Sequence, residues 1–157
     1  MDIKRLLQQN QIICRIDAST DRDSLLDKMA EALLEGNVIS DKDEYLKAVK
    51  KREADMSTQT KGGIALPHAC NGSVRKLGLS IATVAGDGID FSSDADCKCR
   101  LLFMIAIPVD TPAAHIPLYA FLADFLTNSG QLQSLLEATS PDEIISMFLQ
   151  WQEKTKL

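Results

Sequence analysis

Nowhere in the chain do lysine and arginine run longer than the triplet Lys50-Lys51-Arg52. Seventeen basic residues face 22 acidic ones, a net charge of −5. A nucleic-acid duplex is bound by exchanging basic side chains for counterions, and this balance offers no such footprint. An acidic surface suits a basic protein partner instead, because opposite fields speed encounter. The first residues, Met1-Asp2-Ile3-Lys4-Arg5, lack the apolar stretch of a secretory signal. The most membrane-like run, Leu101 to Ala123, is interrupted by Asp110, His115 and the prolines 108, 112 and 117, which breaks a spanning helix. A cytoplasmic protein without membrane insertion is expected. Its four cysteines, Cys14, Cys70, Cys97 and Cys99, are then expected to be free thiols in a reducing compartment. Internal repeats, low-complexity tracts and linkers are missing, as are the phosphate-binding GxxxxGK[ST] loop and any kinase signature.

What is present is an ordinary soluble composition. Of 157 residues, 45% are hydrophobic and 25% charged, enough for one domain with its own core. The span expected for that domain is 1–157. Asp2 to Gln9 is a short helical candidate, and Ile12 to Ile16 is a short strand. Thr20 offers a cap for a helix through Leu34, with Leu25, Met29 and Leu33 on one face and Gly36 at its end. Ser40 is expected to cap a second helix carrying Tyr45, Leu46 and Val49 to about Ala54. Leu77 to Ala85 reads as a strand ended by the turn Gly86-Asp87-Gly88. Arg100 to Ile107 is almost wholly apolar, the pattern of a strand buried on both faces. His115 to Leu126 reads as a helix. Ser140-Pro141-Asp142-Glu143 opens a last one, with a capping serine, proline at the first helical position and glutamate two residues on. Helices before, between and after strands predict an α/β fold, a mixed central sheet flanked by helices on both faces.

The chain has only two histidines, His68 and His115. His68 follows Gly62-Gly63-Ile64-Ala65-Leu66-Pro67, in which two flexible residues precede a rigid one. Proline fixes its own φ and pushes the residue before it toward an extended conformation, so His68 is held stiffly. A neutral imidazole has a free lone pair and attacks phosphorus without a separate base. The guanidinium of Arg52, upstream on a helix, is shaped for phosphate oxygens, and the hydroxyls of Ser57 and Thr58 can share them. His115 opens a helix just after the buried strand, where ligand sites of α/β sheets collect. Apolar residues near the histidines, Ile64, Leu66 and Ile116, are candidates for a transient docking rim, while Asp41, Asp43 and Glu44 read as a solvated face.

Arg52-Glu53, Ser57-Thr58 and Gly63-Ile64-Ala65-Leu66-Pro67-His68-Ala69 resemble the active-site signature of the type 2 enzyme IIA domain, the fructose–mannitol family of the phosphoenolpyruvate:sugar phosphotransferase system. The resemblance continues through Leu79–Val84 and Leu101–Ile107 to His115, its helix and the final helix. It implies that His68 accepts a phosphoryl group from the histidine phosphocarrier HPr or a paralogue. His68 would pass that group to a cysteine or histidine of a cognate enzyme IIB, in the uptake and phosphorylation of a fructose- or mannitol-like sugar or polyol. It further implies that Arg52 neutralises the phosphate and His115 stabilises the phospho-imidazole. Thr58 and Ser57 would contribute weaker phosphate contacts. No metal or other cofactor is implied. Ile116-Pro117 departs from the leucine-rich helix start usual after the second histidine, and proline in a first turn is tolerated. With no enzyme IIB segment attached, the acceptor is expected on a separate chain.

Two other readings stay open. Regulatory relatives of the nitrogen branch resemble the chain in the same way, and there the phosphorylation state of His68 would control binding to protein partners. More remotely, His68, Cys70, Cys97 and Cys99 offer four zinc-binding groups, though without the usual CxxC knuckles.

Overall fold

A computed structural model describes residues 1–156. Two single-turn 3-10 helices, Ile3–Arg5 and Gln9–Gln11, lead into strand β1 (Ile12–Ile16). Helices α1 (Arg22–Glu35) and α2 (Lys42–Asp55) come next, then strands β2 (Ile64–Ala65), β3 (His68–Cys70), β4 (Gly78–Val84) and β5 (Leu101–Ile107). Helices α3 (Ile116–Asn128), α4 (Leu132–Glu137) and α5 (Pro141–Thr155) close the chain. The sheet runs β1-β4-β5-β2, with β3 also on β5. β4 and β5 are antiparallel; β1 pairs β4 in parallel, and β2 and β3 pair β5 in parallel. The expected mixed sheet with helices on both faces is therefore what forms.

Every residue of β5 is buried. Alternate side chains explain how a single strand serves two cores. Leu102, Met104 and Ala106 join one cluster with α1 and α2, through residues such as Leu25, Met29 and Tyr45. Leu101, Phe103, Ile105 and Ile107 join the other with α3 and α5, through Leu122, Phe125 and Phe148. Phe125 and Phe148 lie with ring centroids 4.5 Å apart, within the range where aromatic pairs add to burial.

β2 and β3 keep one register along β5: Ile64 and Ala65 oppose Leu101 and Leu102, and His68 to Cys70 oppose Ile105 to Ile107. They are one edge strand interrupted at Leu66-Pro67. The ladder survives there because the Pro67 carbonyl still accepts from Ile105 N–H at 3.0 Å. Proline, lacking a donor, is tolerated in an edge strand. His68 resumes the ladder directly after the interruption, in register with Ile105, which fixes its place along the sheet.

Several local expectations move by a residue. Asp21, not Thr20, caps α1 by accepting from Ser24 N–H at 2.8 Å. Asp41, not Ser40, caps α2 by accepting from Glu44 N–H at 3.0 Å. Ser40 is spent on the Ser73 carbonyl. Carboxylates accept these N–H groups more strongly and suit the positive helix end. Gly36 does follow α1, but the left-handed residue is Asn37, at φ 56°. A Cβ at 36 would lie 2.0 Å from Gln11 Nε2, so the end of that side chain would have to move. Asp2 to Gln9 makes one 3-10 turn, Ile3–Arg5, and the start of a second, Gln9–Gln11, rather than one helix. Cys14 is half-buried and packs against the cluster of α3 and α5.

Candidate functional site

Two elements deliver the two imidazoles to one place. His68 begins β3, and His115 caps α3 just beyond the end of β5. Their rings lie nearly parallel, 17° apart, with centroids 6.4 Å from each other. Both line a cleft of about 490 Å³ together with Lys51, Arg52, Asp55 and Cys70. α2 supplies the basic wall and is tied to the sheet next to His68. The buried Tyr45 hydroxyl donates to the Ile105 carbonyl at 2.8 Å, and Ile105 is the register partner of His68.

His68 Nδ1 lies 2.8 Å from the Leu66 carbonyl oxygen. A carbonyl only accepts, so this nitrogen carries the proton and Nε2 is left as the free lone pair. Burial lowers the His68 pKa below its ordinary 6.5 and outweighs the Leu66 bond, which raises it. The nearby Arg52 and His115 lower it further, and Glu53 raises it. The ring is therefore neutral and nucleophilic at physiological pH. We predict that any reaction at Nε2 keeps its rate as pH falls below 6.5 and declines only near the lowered pKa. A pH–rate profile checks this. An acid limb centred at or above 6.5 would contradict the burial effect.

Arg52 stands near the end of α2. One of its guanidinium nitrogens, Nη1, donates to the Met56 carbonyl at 2.7 Å. That bond satisfies a carbonyl past the helix end and orients the fork, leaving its other N–H groups for a ligand. Tyr119, one helical turn after His115, sets its ring edge-on to both imidazoles, with centroids 4.9 Å from His115 and 5.9 Å from His68. Burial pushes the Tyr119 hydroxyl up to about 12, while Arg52 pulls it down. Neither the Tyr119 hydroxyl nor His115 Nδ1 has a hydrogen-bond partner among the described residues, though both atoms are buried.

Ser57 and Thr58 do not line this cleft. The Ser57 hydroxyl accepts from Gln59 N–H at 3.2 Å and faces a different hollow with Glu53, Met56 and Ser92. Thr58 is turned inward. Its hydroxyl donates to the buried carboxylate of Glu53, and its N–H lies 3.0 Å from the same group. The same hydroxyl oxygen accepts from Leu66 N–H at 3.2 Å. The structure does not bring Ser57 and Thr58 to the lining of this cleft, and the Thr58 hydroxyl is engaged by Glu53 and Leu66.

The four zinc-binding candidates are not gathered either. Cys99 is buried with its thiol 3.5 Å from the Leu101 carbonyl, and burial pushes its pKa up to about 12. Cys97 is exposed and, like Cys99, lies outside the cleft that holds His68 and Cys70. Among the described residues no group of three or more His, Cys, Asp or Glu side chains is placed to share a metal ion. No described helix is long and apolar enough to cross a membrane.

The apolar rim differs from expectation in its members. Ile64 is buried and Leu66 half-buried. Ile116 is exposed, and so are Met56 and Val109. Met56 follows α2 four residues after Arg52. Val109 follows β5, next to the Pro108 carbonyl that the Cys70 thiol meets at 3.6 Å. Among the described residues, three of the four large exposed apolar side chains thus lie within a few residues of the cleft lining.

Gly63 fixes the approach to His68. It sits at φ 77°, and a Cβ there would lie 2.4 Å from the Lys98 carbonyl oxygen, a backbone atom. We predict that Gly63→Ala costs about 2 kcal/mol or more of stability, from left-handed strain plus the clash. A urea melt measures it, and an unchanged midpoint would contradict the contact.

The family model for the phosphoenolpyruvate-dependent sugar phosphotransferase system, EIIA 2, matches residues 5–151. The chain is 31% identical over 150 residues to the PTS system fructose-specific EIIABC component of Bacillus subtilis. That match covers 96% of this chain and 23% of the longer protein. Two solved structures share the fold with a TM-score of 0.77 each. One is enzyme IIAMtl from Escherichia coli in complex with phosphorylated enzyme IIBMtl, 22% identical, covering 92% of this chain and 97% of that one. The other is the nitrogen regulatory protein IIA-Ntr from Neisseria meningitidis, 19% identical, covering 93% and 98%.

Proposed function

The chain belongs to the EIIA 2 family of the phosphoenolpyruvate-dependent sugar phosphotransferase system, and on that premise we propose that His68 is its phosphoryl-accepting nucleophile. The observation that carries this is the bond from His68 Nδ1 to the Leu66 carbonyl, which leaves Nε2 unprotonated in a cleft walled by Arg52 and His115. The Nε2 lone pair forms the new N–P bond. The P–N bond of the donor, a phosphohistidine carrier of the HPr type, breaks, and its electron pair stays on the donor nitrogen. The proton remains on Nδ1, where the Leu66 carbonyl steadies the positive charge the ring acquires. Arg52 meets the phosphoryl oxygens with its free N–H groups. His115, stacked beside the nucleophile, donates to the same oxygens. Positioning and charge neutralisation are the whole of the protein's contribution, which is what phosphoryl transfer demands.

The acceptor in this reading is an enzyme IIB, reached across the rim of Met56, Val109 and Ile116. A small apolar rim suits a complex that must separate after every transfer. The whole chain, 1–157, works in the cytoplasm as one enzyme IIA domain, and the transported substrate is a fructose- or mannitol-like sugar or polyol. The sequence match to a fructose-specific component supports transport over a purely regulatory output. The equal fold matches to IIAMtl and IIA-Ntr favour neither.

Incubation with phosphoenolpyruvate, enzyme I and HPr, followed by a fructose-type enzyme IIB, tests the proposal. The expected result is one acid-labile phosphoryl group on this chain that disappears when enzyme IIB is added. A chain that stays unmodified with every donor carrier offered would overturn it.

A further inference from the structure

Glu53 is buried, 6% exposed, and does not line the cleft. A carboxylate in that setting needs partners, because an unpaired buried charge is costly. It finds them in Thr58, through the N–H at 3.0 Å and through the hydroxyl. These two bonds fix the polarity of the next ones toward His68. A carboxylate only accepts, so the Thr58 hydroxyl must give its proton to Glu53. Its oxygen lone pairs are then open to the Leu66 N–H, 3.2 Å away. Leu66 is thereby held at its amide, and its carbonyl takes His68 Nδ1–H at 2.8 Å. Pro67 stiffens the only residue between Leu66 and His68.

We propose that Glu53 is a positioning residue, which through Thr58 and the Leu66 backbone selects the Nδ1–H tautomer of His68 and aims Nε2. The inference rests on the phosphocarrier reading for its consequence in rate, but the tautomer it asserts is measurable without any phosphoryl transfer. In Glu53→Gln the new amide donates to the Thr58 oxygen and competes with Leu66 N–H for it. In Thr58→Val the oxygen is gone. Both release Leu66, and both leave Arg52 and His115 in place. Thr58→Ser keeps the oxygen and restores the chain of bonds. A misaimed nucleophile loses roughly ten- to a hundredfold in rate.

The experiment is 15N NMR of the histidine rings in the full chain, with initial rates of phosphoryl acceptance from HPr measured alongside. Wild type and Thr58→Ser are expected to show His68 as the Nδ1–H form and to react alike. Thr58→Val and Glu53→Gln are expected to show a mixture of tautomers and slower acceptance. Should Glu53→Gln fail to fold, the Thr58 pair decides alone. A wild-type tautomer in Thr58→Val overturns the proposal, as does a loss in Thr58→Ser equal to that in Thr58→Val. Failure of wild type to accept phosphate, with the tautomer shifted in the variants, would overturn the phosphocarrier reading and leave the positioning role standing.

Discussion

His68→Ala is expected to gain no phosphoryl group under conditions that fully modify the wild type. The substitution removes Nε2, the ring nitrogen that the Nδ1 bond to Leu66 leaves unprotonated in the cleft. His115 does not replace it. Its ring caps α3 and lies 6.4 Å from the His68 ring, centroid to centroid, where it serves the phosphoryl oxygens rather than the phosphorus. Cys70 lines the cleft but has no part in the bond network around the nucleophile. The variant should fold, because His68 is half-buried at a sheet edge and gives up one bond to a carbonyl. Intact-protein mass with a thermal melt separates loss of the nucleophile from loss of the fold. A folded His68→Ala that still acquires an acid-labile phosphoryl group would move the chemistry to another residue.

Arg52→Ala is expected to slow phosphoryl acceptance by about 10²- to 10³-fold, the usual effect of deleting one preorganised charge donor from a reacting site. Arg52→Lys should fall between, since a point charge does not reproduce the planar fork. Part of the change is structural. The Nη1 bond to the Met56 carbonyl at 2.7 Å is lost, at a stability cost of about 1 kcal/mol. Rapid-quench rates at saturating phospho-HPr isolate the chemical step from docking by the neighbouring Met56. Wild-type rates in Arg52→Ala would remove Arg52 from the site.

The strongest periodic signals in the sequence survive folding almost intact. The apolar run predicted from Arg100 to Ile107 is β5, Leu101–Ile107, buried at every position, and its alternate side chains enter the two clusters on either face. Ser140-Pro141 opens α5 as the pattern implies, with the Ser140 hydroxyl meeting Glu143 N–H. The Glu143 carboxylate, however, accepts from Thr139 rather than from the cap itself. α4 carries little signal: it has six residues and no side-chain cap. His68 and His115 are legible because the chain has only two histidines, and Arg52 because it stands upstream of them on a helix in the Arg52-Glu53 part of the signature; the structure brings all three to one cleft.

The features that sequence patterns do not show are those that depend on distant partners. By its hydroxyl alone, Thr58 reads as a phosphate contact. Its direction is set by a buried glutamate five residues back, and nothing in the pattern shows that Glu53 turns inward. Ile64, apolar and near His68, reads as part of the rim, whereas pairing with Leu101 buries it. Tyr119 carries a usable signal. It stands four residues after His115 on a helix and so shares its face.

In the proposed intermediate the phosphoryl group is carried on Nε2 of His68, with Nδ1 protonated against the Leu66 carbonyl. Two-dimensional 15N–31P correlation on the phosphorylated, histidine-labelled protein measures this directly. Phosphorus coupled to His68 Nε2, with the proton on Nδ1, is the predicted result. Phosphorus on Nδ1, on His115 or on any other side chain would contradict the account.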